Sequence, residues 1–412
     1  MSIIIAHPTG NEFFRAAVRG FYDAGQLQSV YTCAASFPGT LLYKLGAFGP
    51  FQDIQRRALN NALKKITHTH PWKELGRLLA IKTGRKKWLT HETGMFSIDQ
   101  VYQDLDRHVA RKLQQERAKG ATTVYAYEDG AACTFKKAKE LGMQNVYDLP
   151  IGYWRSMHNF LALEKEVNPQ WAVTLDGLRN SLAKLARKDE ELALADDIIV
   201  ASSFTAETLK TYPYTLPKIH TVPYGFPPAR EKVYRSISKD DKIRMLFVGG
   251  LSQRKGLSYL FAAMKGFEHK ITLTIVGRSA TGNSKILNDN LAKHTWIETL
   301  SHAVILDLMQ QNDVLVFPSL FEGFGLVITE AMAQGTPVIT TERTAGPDLI
   351  QHGENGWIVK AGDTQALQAI LNKIADDPGI FELVGKKALE TARQRPWSIY
   401  EKELVAATTN FT

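Results

Sequence analysis

Phe317-Pro318-Ser319-Leu320-Phe321-Glu322-Gly323-Phe324-Gly325-Leu326-Val327-Ile328-Thr329-Glu330-Ala331-Met332-Ala333-Gln334-Gly335-Thr336-Pro337-Val338-Ile339 is the stretch on which the reading of this chain turns. The apolar run Val314 to Phe317 is halted by Pro318-Ser319, and a glycine-bearing loop, Glu322-Gly323-Phe324-Gly325, follows. A helix is expected from about Leu326 to the stop at Gly335, and Val338-Ile339-Thr340 opens the next strand. Strand, loop, helix and strand in that order form the unit of a parallel α/β sheet. The loop sits at the carboxyl end of a strand and the amino end of a helix, where doubly wound sheets bind ligands and where anions are favoured.

The chain has 412 residues, enough for two domains, and 44% apolar with 22% charged residues is ordinary for a water-soluble fold. Cys33 and Cys133 are the only cysteines, which excludes a disulfide framework and a cysteine-rich metal site. Met1-Ser2-Ile3-Ile4-Ile5-Ala6 lacks the basic flank and length of a signal peptide, and no apolar run is long enough to cross a bilayer. A cytoplasmic protein is therefore expected. A formal net charge of +8 favours anionic partners.

Ser2 to Ala6 reads as a first buried strand. The turn His7-Pro8-Thr9-Gly10-Asn11 follows, then a helix to about Ala24. The opening is Rossmann-like without the glycine spacing of a dinucleotide site, so Gly10 is either a tight turn or a point of close approach to a substrate. Further strands are expected at Val30–Cys33, Thr122–Tyr127 (ending at Glu128-Asp129-Gly130), Val146–Pro150, Asp197–Ser203 and Lys218–Gly225. Phe226-Pro227-Pro228-Ala229 reads as a linker. A second α/β pattern then runs through Ile243–Gly250, Ile271–Val276, Val304-Ile305-Leu306, Val314–Phe317, Val338–Thr340 and Gly356–Val359, with a terminal helix from Pro396-Trp397-Ser398. The expected division is residues 1–225, residues 226–395, and a final helix over 396–412.

Residues 44–87 stand apart. Lys44, Arg56, Arg57, Lys64, Lys65, Lys73, Arg77, Lys82, Arg85, Lys86 and Lys87 face only Asp53 and Glu74, with Leu41, Leu42, Leu45, Phe48, Phe51, Trp72, Leu75, Leu79 and other apolar residues interleaved. A basic amphipathic segment of this kind suits an anionic membrane surface, which here means the inner face of the cytoplasmic membrane; a helical insert with a solvated basic face is the plainer alternative. Nucleic acid is not the expected partner.

On four ordered pieces the second half resembles the retaining glycosyltransferases of family 4, which have the GT-B architecture of two Rossmann-like domains facing a cleft. The pieces are Phe247-Val248-Gly249-Gly250-Leu251-Ser252-Gln253-Arg254-Lys255-Gly256, Val276-Gly277, the Glu322 to Glu330 run, and Gly335-Thr336-Pro337 with Gly353-Glu354-Asn355-Gly356. In the first half only Ala195–Ser202 and Val222-Pro223-Tyr224-Gly225 are similar. The resemblance implies transfer of a hexose from a nucleotide-diphosphate sugar to an acceptor hydroxyl, without a metal or other cofactor. Arg254 and Lys255 would stabilise the departing diphosphate, Glu322 would face the donor sugar, and Glu330 would accept from the ribose hydroxyls. Gly249, Gly250, Gly277, Gly323, Phe324, Gly325 and Leu326 would complete the donor site, where the glycines permit close backbone approach. Many members carry an arginine where this chain has Gly250, so Arg254 or Arg278 is expected to take its part.

Acceptor residues are sought at strand ends of the first half: Gly10, Asn11, Glu128 and Asp129. Asp129 either positions the acceptor hydroxyl or caps a helix. With the basic block, a lipid-linked or cell-envelope glycan is the acceptor class that fits. A nucleotide-sugar epimerase of the same architecture and a basic binding protein are the competing readings. Saturable binding of a nucleotide diphosphate disfavours the second, and conversion of a nucleotide sugar without acceptor marks the first.

Overall fold

A computed structural model describes residues 1–40, 43–44, 52–55, 57–175, 177–235, 237–238, 241–279 and 284–409. Leu41, Leu42, Leu45, Phe48, Phe51 and Arg56 of the basic block lie outside them. The first half supplies β1 (Ile3–Ala6), α1 (Glu12–Asp23), β2 (Leu27–Thr32), β3 (Thr67–Thr69), α2 (Trp72–Lys82), α3 (Ile98–Ala118), β4 (Thr123–Tyr127), α4 (Ala132–Glu140), β5 (Gln144–Leu149), α5 (Trp154–Val167), α6 (Leu182–Leu194), β6 (Asp197–Val200), α7 (Ser203–Thr208) and β7 (Lys218–Thr221). The second supplies β8 (Ile243–Val248), α8 (Leu257–Met264), β9 (Ile271–Val276), α9 (Lys285–Leu291), β10 (Thr295–Ile297), α10 (His302–Gln311), β11 (Val314–Phe317), α11 (Leu326–Ala333), β12 (Val338–Thr341), β13 (Trp357–Val359), α12 (Thr364–Asp376), α13 (Ile380–Gln394) and α14 (Trp397–Thr409).

Two parallel sheets result, ordered β3-β2-β1-β4-β5-β6-β7 and β10-β9-β8-β11-β12-β13. Both reverse direction beside their first strand, between β1 and β4 and between β8 and β11, which are the switch points where such sheets open a crevice. The inner strands read as unbroken apolar runs because helices cover both faces: Ile3, Ile4, Ile5, Val314, Leu315 and Val316 are fully buried. The register pairs Ile4 with Val124 and Leu315 with Leu246, which sets the loops after these strands side by side.

The chain crosses between the halves twice, and the crossings touch. Phe226 N–H donates to the Arg395 carbonyl at 2.9 Å, and Phe226 and Pro396 form a parallel bridge. Helix α14 then packs on α1 of the first half, with Tyr400 and Leu404 buried and Arg19 on Glu401 at 2.8 Å. Gly20 makes this possible, since a Cβ there would stand 3.0 Å from the Glu401 carbonyl oxygen.

Two expectations are corrected. Val304-Ile305-Leu306 is helical, inside α10, and the sheet takes Thr295–Ile297 instead. A short apolar run has the same pattern in a buried strand and on a helix face; here Leu306 and Met309, three apart, are the buried positions. The basic block is not a helical insert alone, since Thr67–Thr69 within it pairs with β2 as the edge strand of the first sheet.

Candidate active site

The site grows from two loops at the carboxyl ends of β8 and β11. After β8 the chain makes a short 3-10 turn, Gln253–Lys255, and leaves it at Gly256 with φ 72°. Any side chain at Gly256 would overlap the Pro318 carbonyl, so the two loops press together there. Leu320 N–H donates to the Arg254 carbonyl at 2.8 Å and locks them.

That contact brings three charges into one place. Lys255 Nζ pairs directly with Glu322 and lies 4.7 Å from the centre of the Phe317 ring. Arg254 donates to the Phe321 carbonyl at 2.7 Å and reaches Glu322 Oε2 at 3.2 Å. Burial pushes the Glu322 carboxyl upward, but Lys255 and then Arg254 outweigh it and hold it near 2, so it is ionised throughout the neutral range. Helix α11 starts beyond Gly325, whose φ is 86°, and no side chain caps its amino end. Its first residues, Leu326 and Val327, line a cavity of about 290 Å³ together with Gly249, Lys255, Glu322, Phe324 and Gly325. The arrangement offers one cation, Lys255, an ionised carboxylate backed by Arg254, and an uncapped helix end to one space, which suits a ligand with a phosphate at one end and hydroxyls at the other.

The opposite wall belongs to the first half. Phe13, Pro150 and Tyr224 line the same cavity, with the Phe13 and Tyr224 rings stacked at 5.1 Å. The first half also grips the Glu322 loop from outside the cavity. Ser202 Oγ and Thr205 Oγ1 both donate to the Gly323 carbonyl, at 2.5 and 2.9 Å. Phe321 is fully buried against Phe204 and Phe160, with ring centres 5.3 and 6.1 Å away. Gln253 reaches across as well, its amide nitrogen donating to Glu164 at 2.7 Å.

Not every expected residue reaches the cavity. Gly250 does not line it, and a Cβ there would meet nothing within 4 Å, so the loop has open room at that position. Arg254 sits behind Glu322, whereas Arg278 is largely exposed and leans toward Glu298 at 3.7 Å. Gly277 serves backbone packing, since a side chain would strike the Gly249 carbonyl; Gly323 does the same against Pro150. Glu330, one turn into α11, is outside the cavity and accepts from or pairs with His302 Nε2 at 2.9 Å.

In the first half Asn11 caps α1, accepting from Phe14 N–H at 3.2 Å, and Gly10 backs onto Arg57. Glu128 and Asp129 lie in a buried ion cluster against α6, with Lys188 Nζ at 2.8 Å from Glu128 and at 3.2 Å from Asp129. Burial raises the Asp129 carboxyl, but Lys188, Lys184 and Arg187 together bring it below the usual aspartate range. Helix capping by Asp129 is not what is found: Asp106 accepts from Cys133 and Thr134 N–H at 2.8 Å and serves the start of α4, and Glu191 accepts from Asp129 and Ala131 N–H. The residues that sequence reasoning missed are Phe13, Pro150, Tyr224, Ser202, Thr205 and His302. Pro150, Ser202 and Tyr224 stand at the carboxyl ends of expected strands, which is the signal that could have found them.

The family model described as Glycosyl transferases group 1 matches residues 230–393, the part that holds β8 to α13. A glycogen synthase of Mycobacterium tuberculosis is 28% identical over 225 residues, 52% of this chain and 53% of that protein. A phosphatidyl-myo-inositol mannosyltransferase of Mycobacterium leprae is 30% identical over 167 residues, 39% of this chain and 45% of that one. The match therefore spans about half the length of these curated relatives. Over the whole chain the fold is similar to that of Anabaena Alr3699/HepE, solved in complex with UDP, with a TM-score of 0.62, 16% identity and coverage of 99% of this chain and 100% of that one. The order of the two sheets and the likeness over the whole chain give the GT-B fold, and residues 230–393 are similar to the group 1 glycosyl transferases.

Proposed function

We propose that this protein is a retaining, metal-independent hexosyltransferase that uses a nucleotide-diphosphate sugar and glycosylates a lipid-linked or cell-envelope glycan. The observation that carries the reading is the Lys255–Glu322–Arg254 cluster on a cavity walled by both halves. Transfer breaks the bond between the anomeric carbon and the diphosphate oxygen and forms a bond from the acceptor oxygen to that carbon. The acceptor proton passes to the departing phosphate oxygen, and a nucleoside diphosphate leaves. Negative charge grows on the phosphate as the bond breaks; Lys255 and the amino end of α11 are placed to offset it. Glu322 takes the sugar hydroxyls and stands near the positive charge developing on the ring.

The relatives agree with this reading in kind: one is a phosphatidyl-myo-inositol mannosyltransferase and a structural neighbour is bound to UDP. Glu330 with His302 would form the ribose end of the site, just beyond the cavity. The test is a thermal-shift and calorimetric screen of nucleoside diphosphates and their sugars, with and without a chelator. Stabilisation by one base in the presence of chelator is expected. A strict need for a divalent ion, or conversion of the sugar nucleotide with no acceptor present, sinks the proposal.

A further inference from the structure

Helix α2 carries the most unusual surface of the molecule. Trp72, Leu75 and Leu79 are 72%, 51% and 57% exposed, although nothing about the fold demands large apolar residues in water at those places. With 3.6 residues per turn they fall within an arc of about 60° and form one ridge along the helix. Lys82 continues that arc, and Arg85, Lys86 and Lys87 are exposed just beyond the helix end. From residue 57 to residue 90 the sequence holds nine Lys or Arg and a single acid, Glu74. Glu74 faces inward, is buried, and is engaged by Arg57 and by Arg77 Nε at 2.7 Å. It therefore does not offset the outward charge.

We infer that α2 is an interfacial helix that docks the protein on an anionic lipid bilayer, with Trp72, Leu75 and Leu79 seated among the acyl-chain ends and the cations at its carboxyl end on the headgroups. An apolar ridge beside a cationic collar matches such a surface on both counts, since each part meets its own layer of the bilayer. Phosphate-backbone binding would use the cations but leave the ridge in water. A second copy of this chain would set two strongly basic faces against each other.

The placement also ties docking to the cleft. Glu74 on the inner side of α2 holds Arg57, and the backbone of Arg57 packs on Gly10, where a Cβ would come within 3.1 Å of its Cα. Gly10 lies in the turn after β1, at the switch point of the first sheet. The surface that lies on the bilayer is thus joined by one ion pair to the turn that borders the first-half side of the cleft. A hydroxyl carried on a lipid would approach from that side; this last step rests on the transfer reading above, whereas the docking does not.

The experiment is flotation of the full chain with phosphatidylcholine vesicles, with and without about one third phosphatidylglycerol, at about 0.1 M and about 0.5 M salt. Binding to the anionic vesicles at low salt, weakened at high salt and absent on the neutral ones, is expected. Lys86→Ala with Lys87→Ala should lower partitioning by roughly 25-fold, about fivefold for each cation. Leu75→Glu with Leu79→Glu should abolish it while thermal unfolding and nucleoside diphosphate binding stay as in the parent. Flotation that survives the two glutamates, or no flotation at low salt, overturns the proposal. Fluorescence quenching by brominated lipid supplies an independent check: signal lost in Trp72→Phe supports seating of the ridge, and quenching equal to the parent's counts against it. Loss of nucleotide binding by the unmodified chain would strike at the transfer reading alone and leave the docking result to stand.

Discussion

Lys255 and Glu322 hold each other with their side chains only 10% and 14% exposed, so each sets what the other can do. A lysine paired with a carboxylate is fixed in position but has part of its charge already answered. On the proposed function, a diphosphate entering the cavity would compete for that charge. Lys255→Ala should therefore lower kcat by about 10²- to 10³-fold, the cost of removing one strong donor to a developing anion, and should weaken nucleoside diphosphate binding as well. Glu322→Gln should separate the two effects: kcat falls by a similar factor while calorimetry finds nucleoside diphosphate bound at least as tightly as before. Equal losses of binding in both variants would count against the division of roles. Behind the cavity, Asp148 is fully buried and accepts from Tyr125 Oη at 2.5 Å. Burial lifts its carboxyl to about 7 against the opposing hydrogen bond of Tyr125. The folded chain then binds this proton more tightly than the unfolded chain does. Stability from this group is greatest below about pH 4 and declines as pH climbs toward 7, by roughly 1–4 kcal/mol. Asp148→Asn is expected to gain Tm on the parent between pH 5 and pH 8 as measured by calorimetric unfolding; a pH-independent offset would show that Asp148 does not titrate in this window.

The loop from Leu320 to Gly325 depends on elements from both halves. The cations that answer its Glu322 come from the turn after β8, and its backbone is held at the start of α7, through Ser202 and Thr205 on the Gly323 carbonyl. Removing both hydroxyls with Ser202→Ala and Thr205→Val leaves a buried carbonyl without its side-chain donors, at a cost of about 1–3 kcal/mol. The expected result is a folded enzyme whose turnover drops about tenfold or more, because Glu322 is displaced, while nucleoside diphosphate affinity changes less. Unchanged turnover would mean that the loop is positioned from the second half alone. Much of this element was legible: Val314–Phe317, the glycine loop and the helix from Leu326 are found where the residue pattern places them. The grip from α7 was not, because hydroxyls 118 and 121 residues away leave no periodic trace near Gly323.

Across the whole molecule, α14 is the strap that joins the end of the second half to the first helix of the chain. It needs a side chain absent at Gly20, where the helices approach within contact of backbone atoms. Gly20→Leu would overpack that crossing, and a loss of about 1–3 kcal/mol is expected in thermal unfolding. Nucleoside diphosphate binding should persist in the folded fraction, since Lys255, Arg254 and Glu322 all belong to the second half. No change in Tm would show that α14 is not held where it lies. Among the described residues no helix is long and apolar enough to cross a membrane.

Strand-loop-helix order and the two α/β patterns were readable from residue types alone. Their signals are local: apolar runs for buried strands, glycines where backbone must approach, and a short loop between them. The run Val304 to Leu306 shows where that kind of signal fails, because helix and strand share it. The wall made by Phe13, Pro150 and Tyr224, the pairing of Glu330 with His302, and the burial of Asp129 among Lys184, Arg187 and Lys188 were settled in three dimensions. Each of these joins residues far apart in the chain, and the partners of a charge or ring are set by how the two sheets pack rather than by the residues beside it.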